Sequence, residues 1–60
     1  MKKQFKRGEI YQVWEPGMDE WIKMKYVGFN RLTDDYIFVS PSDNEVWMFV
    51  SESDVEEEVK

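Results

Sequence analysis

The chain carries thirteen carboxylates but no histidine and no cysteine. Nucleophilic catalysis by a Ser/His or Cys/His pair is therefore closed to it, and so is zinc binding by a Cys/His cluster. What remains is carboxylate chemistry. Two acids could do acid–base work if an apolar wall shifted one pKa away from the other. The densest clusters are Asp34 with Asp35, and Glu56, Glu57 and Glu58. Both stand in loop-like or edge-like sequence without apolar neighbours, and both read as solvated surface. Asp34 and Asp35 could approach a hard cation, but one pair supplies too few oxygen ligands. "SDNE", residues 42–45, has the composition of a calcium loop and reads better as a turn. We therefore expect no enzyme, no metal site and no cofactor.

Binding chemistry is better supplied. Residues 1–31 carry a net charge of +3 and residues 32–60 a net of −8, which together give the chain its −5. The basic stretch Lys2, Lys3, Lys6 and Arg7 could contact phosphates, with Phe5 stacking on a base. The bland alternative is that these cations pair with Glu56–Glu58 across the fold, each exposed pair worth about 0–1 kcal/mol. In the acidic half, Asp34, Asp35, Asp43, Glu45 and Glu56–Glu58 could imitate nucleic-acid phosphates; ordinary solubilising charge is the alternative. Ten aromatic residues in sixty are a third resource. They are the material of protein interfaces as well as of cores.

These groups must be carried by short elements. Sixty residues make one domain, 1–60, near the lower limit for folding without staples. Apolar runs recur roughly every ten residues, separated by turn chemistry, which is an all-β pattern. The runs are 9–14, 21–29, 36–40 and 45–50. Pro16 and Gly17 mark the first turn, "NRLTDD" the second and "PSDN" the third. Gly28 suggests a bulge late in the second strand. The tail reads as one helical turn at "SESD" followed by a short returning strand at "VEEEV". The basic N-terminus is followed by no apolar run, so it does not read as a signal peptide. No stretch approaches the ~20 apolar residues of a membrane span. The expectation is a soluble, cytoplasmic protein.

Two segments carry a resemblance. "FKRGEIYQV" resembles the start of the first strand in SH3-like barrels, and "FVSESDVEEEV" resembles their closing segment, a strand end, one helical turn and a valine returning to the core. The short first loop is closer to Tudor-like and KOW-like barrels than to signalling SH3 domains. The paired tryptophans and acidic loop of the latter are missing, so the resemblance does not imply proline-peptide recognition. It implies a small five-stranded barrel with one helical turn before the last strand, and Val50 and Val55 in its core.

Pairing then predicts the faces. A four-residue connection at 41–44 sets Phe38 opposite Trp47 and Tyr36 opposite Phe49, with Val39 opposite Val46 and Ile37 opposite Met48. Pairing Phe29 with Tyr36 sets Val27 opposite Phe38 and Tyr26 opposite Val39. Lys23 and Lys25 share the aromatic parity, and mid-strand lysines are rarely buried unpaired. That puts Tyr11, Val13, Ile22, Met24, Tyr26, Ile37, Val39, Val46, Met48, Val50 and Val55 inside, and Phe29, Tyr36, Phe38, Trp47 and Phe49 outside. A bulge at Gly28 would reverse the parity of what precedes it. The expected function is a non-enzymatic binding module for a protein partner, or for a second copy of itself as a homodimer. Trp47, Phe49, Tyr36, Phe38 and Phe29 are its anchors, and Lys23 and Lys25 its polar rim. The alternatives are a small acidic inhibitor, resembling phage proteins that mimic nucleic acid, and nucleic-acid binding through the basic N-terminus.

Overall fold

A computed structural model of the chain describes residues 4–60. Four antiparallel strands follow one another in a single sheet: β1 (Ile10–Glu15), β2 (Glu20–Asn30), β3 (Asp35–Val39) and β4 (Trp47–Ser51), in spatial order β1-β2-β3-β4. One helical turn, α1 (Val55–Glu58), follows β4. Among the described residues no helix is long and apolar enough to cross a membrane.

The three hairpin loops share one local recipe. A side chain near the turn accepts a backbone N–H two residues on: Glu15 from Gly17 at 2.7 Å, Asn30 from Leu32 at 2.9 Å, and Asp43 from Glu45 at 3.0 Å. Each loop also holds one Asp or Asn in the left-handed region: Asp19, Asp34 and Asn44. These short polar side chains tolerate that conformation better than other non-glycine residues. Asx chemistry, with Pro16 and Pro41, thus breaks the apolar runs into strands.

The core lies on one face of the sheet. Val13, Met24, Tyr26, Tyr36, Phe38, Val50, Val55 and Val59 are buried together, with Phe5, Tyr11, Ile22, Phe29 and Met48 packed against them. Phe38 has no exposed surface, and its ring lies 5.5 to 6.4 Å from those of Tyr26, Phe5 and Tyr11. Phe5, near the N-terminus, reaches into the same cluster and also meets Tyr36 at 5.1 Å. It acts here as a core residue.

This arrangement corrects the predicted faces: Tyr36 and Phe38 are inside. Two register changes cause the reversal. A bulge between Tyr26 and Gly28 shifts β2 against β3, so Phe38 faces Tyr26 and Val39 faces Lys25, while Phe29 still faces Tyr36. The third hairpin is one residue longer than expected. Ser40 N donates to Val46 O at 2.8 Å, enclosing five residues, and Tyr36 then faces Val50, Ile37 faces Phe49, Phe38 faces Met48 and Val39 faces Trp47. A slip of one residue exchanges the faces of a whole strand pairing. Val46, expected inside, is exposed, and Ile37 is only half-buried. Val39 is buried but lies on the face opposite the core, between its cross-strand neighbours Lys25 and Trp47.

The tail also differs from expectation. The helical turn falls at Val55–Glu58, where a strand was expected, and the chain returns to the sheet only at its last residues. Val59 bridges Val13, while Gln12 and Lys60 exchange backbone hydrogen bonds of 3.2 and 2.8 Å. Val55 and Val59, four residues apart, both point into the core. One turn of helix satisfies their spacing and leaves Glu56 and Glu57 in water.

Buried tyrosines give this core a pH limit. Tyr36 O–H donates to a Glu52 carboxylate oxygen at 3.4 Å. Burial, followed by the charge of Glu52 and this hydrogen bond, pushes the Tyr36 pKa up. Burial also raises Tyr26, opposed in part by the Arg7 guanidinium. Unfolded tyrosine titrates near pH ~10. Above that pH the folded chain retains protons that the unfolded chain has lost, so stability falls as pH rises. The contribution is complete below pH ~10 and is lost as the pH passes through the folded values. Urea midpoints measured from pH 8 to 11 should hold steady and then drop. The drop should shrink in a Tyr26→Phe/Tyr36→Phe double variant; an equal drop would refute the assignment.

Candidate functional site

The outer face of the sheet can be built from the register. Ile10, Lys25, Val39 and Trp47 form one row across the four strands, and Gly28, Ile37 and Phe49 form the next. On the other side of the first row Gln12 faces Lys23, and one row further Trp14 faces Trp21. Alternation along each strand puts these side chains on the side away from the core.

Within this face, Trp47 and Phe49 are 56% and 59% exposed. Two residues apart on β4, they lie side by side with ring centroids 6.4 Å apart and planes inclined by 25°. Ile10, half exposed, continues the apolar row toward β1, and exposed Val46 adjoins Trp47. Lys23 is exposed and Lys25 half-buried. Lys25 stands directly across from Val39, an ordinary place for a long cationic side chain whose stem can cover apolar surface.

The predicted anchors therefore divide. Trp47 and Phe49 stand exposed on one face with Lys23 and Lys25. Tyr36 and Phe38 are on the other face, in the core. Phe29 is half-buried against the core, its ring 4.8 Å from that of Tyr36.

A second aromatic pair was not singled out in the sequence. Trp14 and Trp21 meet edge to face at 5.4 Å on the outer face, and Lys60 Nζ lies 4.3 Å from the centre of the Trp21 ring. Both tryptophans are half-buried. The signal was present: Trp21 has the parity of Lys23 and Lys25, with no bulge between them.

The acids are spread rather than gathered into a site. Among the described residues no three His, Cys, Asp or Glu side chains come together as metal ligands would. Asp34 is exposed at the end of the second loop, and Asp35 pairs with Asn30. Glu56, Glu57 and Glu58 lie on α1. Of the predicted basic contacts, Lys2 and Lys3 lie outside the described residues, and Lys6 and Arg7 are exposed.

Comparison with protein-family models, curated proteins and solved structures finds no match for this chain.

Proposed function

We propose that this chain is a non-enzymatic protein-binding module, a small SH3-like barrel that docks through the outer face of its sheet. The observation that carries the reading is the exposed pair Trp47 and Phe49. This small chain buries its other phenylalanines at least in part, yet leaves one tryptophan and one phenylalanine stacked in water. Large aromatic side chains are the commonest hot spots of protein interfaces. Lys23 and Lys25 supply a polar rim, and Ile10 extends the apolar row. The barrel reading is supported by the return of Val59 and Lys60 to β1, which would add a fifth strand on that side of the sheet.

The test is retention of binding partners from the native host by the wild-type chain and by Trp47→Ala and Phe49→Ala variants. Each alanine should weaken retention at least ten-fold, about 1.4 kcal/mol or more. The thermal transitions should stay close to wild type, because neither ring is in the core. Equal retention by wild type and variants would reject the reading. So would retention that vanishes in moderate salt for wild type and variants alike, the behaviour of a purely electrostatic acidic mimic.

A further inference from the structure

β4 is the last strand of the sheet; among the described residues β3 flanks one side of it and no strand flanks the other. The hydrogen bonds from Ser40 N to Val46 O and from Glu52 N to Asp34 O bracket the β3–β4 pairing and fix its phase. Antiparallel residues alternate between bonding toward the partner strand and bonding away from it. Met48 and Val50 therefore direct their backbone groups to β3, while Trp47 and Phe49 turn their N–H and C=O outward to the free edge. The two residues with the exposed rings thus also hold the open hydrogen-bonding positions.

Exposed edges are usually protected by a lysine, a proline or a bulge. β4 reads Trp-Met-Phe-Val-Ser, with no charge and no proline, and its register with β3 is unbroken. Such an edge is a template for one more strand.

Charge decides which strand fits. Asp43 and Glu45 flank one end of β4, and Glu52 and Asp54 the other, with no lysine or arginine between positions 32 and 59. A second copy paired antiparallel about Phe49 would set Glu45 beside Ser53 and Asn44 beside Asp54, bringing the acidic end of each copy onto the acidic end of the other. No two acids are directly opposed, but Glu45 of each copy would lie diagonally beside Glu52 and Asp54 of the other, and like charges gathered in this way repel. A basic strand meets attraction at both ends.

We propose that the free edge of β4 takes up an extended, lysine- or arginine-bearing segment of a partner protein as an added β-strand. Trp47 and Phe49 pack along it on the outer face, and the acids at both ends hold its cations. This inference rests on the protein-binding reading and names the partner's chemistry and its mode of docking.

The experiment uses the full 60-residue chain and a fluorescent ten-residue peptide alternating lysine and valine, with a glutamate–valine peptide of equal length as comparison. The lysine peptide should bind at least ten-fold more tightly. It should slow hydrogen exchange at the Trp47 and Phe49 amides at least ten-fold. The double variant Glu45→Gln/Asp54→Asn, one acid at each end, spares the Asp43 and Glu52 hydrogen bonds; it should keep its thermal transition and lose at least three-fold in affinity for that peptide. Failure of the lysine peptide to bind, equal affinity for both peptides, unprotected Trp47 and Phe49 amides in the complex, or a dimer formed without peptide would each overturn the proposal. If the host partner is lost on Trp47→Ala while the two amides exchange freely in the wild-type complex, the docking face stands and the added strand falls. If the alanine variants retain the partner fully, the protein-binding reading falls, and this inference with it.

Discussion

Replacing Phe38 by alanine is expected to remove much or all of the chain's stability at room temperature. The ring has no exposed surface and sits among those of Phe5, Tyr11 and Tyr26. Truncating a buried phenylalanine costs about 3–5 kcal/mol, combining lost transfer energy with the cavity left behind. A sixty-residue domain at ~0.05–0.15 kcal/mol per residue has roughly 3–9 kcal/mol in all. The loss therefore takes up much or all of the margin. Trp47→Ala removes a larger side chain from the opposite face and should cost about 1 kcal/mol or less, since its ring is mostly in water. Urea unfolding followed by circular dichroism separates the two. Phe38→Ala should show a strongly shortened folded baseline and a much lower urea midpoint, and Trp47→Ala should stay within about 4–8 °C of wild type on heating. The reverse ranking would mean that the two faces of the sheet have been exchanged.

That ranking is where sequence and structure part. The strands were legible because each apolar run is bounded by proline, glycine or Asx residues, and those residues do form the turns. The bulge at Gly28 was legible too, because a glycine late in a strand weakens the ladder. Its consequence was not. Lys23 and Lys25 correctly mark the outer face of β2 up to the bulge, but parity carried past Gly28 assigns Phe38 to the wrong side. The third hairpin failed for a related reason. Asp43 and Asn44 specify a turn, yet their local preferences do not count its residues, and a loop of five instead of four moves Tyr36 from Phe49 to Val50. Of the candidate site, Trp47, Phe49, Lys23 and Lys25 were read on the right face. In β4 the two register errors cancel, since Met48 and Val50 enter the core either way. Trp14 and Trp21 were missed because no register was assigned between β1 and β2. The free edge of β4 depends on strand order and hydrogen-bond phase, which no side-chain pattern encodes.

The tail is the part of the sequence with two readings, and deleting it should have the largest effect of all. A chain ending at Asp54 loses Val55 and Val59, two of the eight residues buried together in the core. Full burial of such side chains is worth about 1.5–3 kcal/mol each, so the deletion removes roughly 3–6 kcal/mol. It also uncovers Val13 and leaves the Gln12 backbone without Lys60. The expected product has no cooperative thermal transition. Point variants divide this loss by cause. Val59→Ala should cost about 2 kcal/mol, from two lost methyl groups and the void they leave. Changing Glu56, Glu57 and Glu58 to glutamine should cost less than about 1 kcal/mol, because none of them is buried and acids in a first helical turn contribute only modestly. Val59 would then matter for packing against β1, and the acidic run for surface charge. A shortened chain that still melts cooperatively within a few degrees of wild type would remove the case for a fifth strand beside β1. Collapse on Val59→Ala with tolerance of the glutamine triple would locate the docking of the tail on β1 in one valine, set by the helical turn that the strand pattern had hidden.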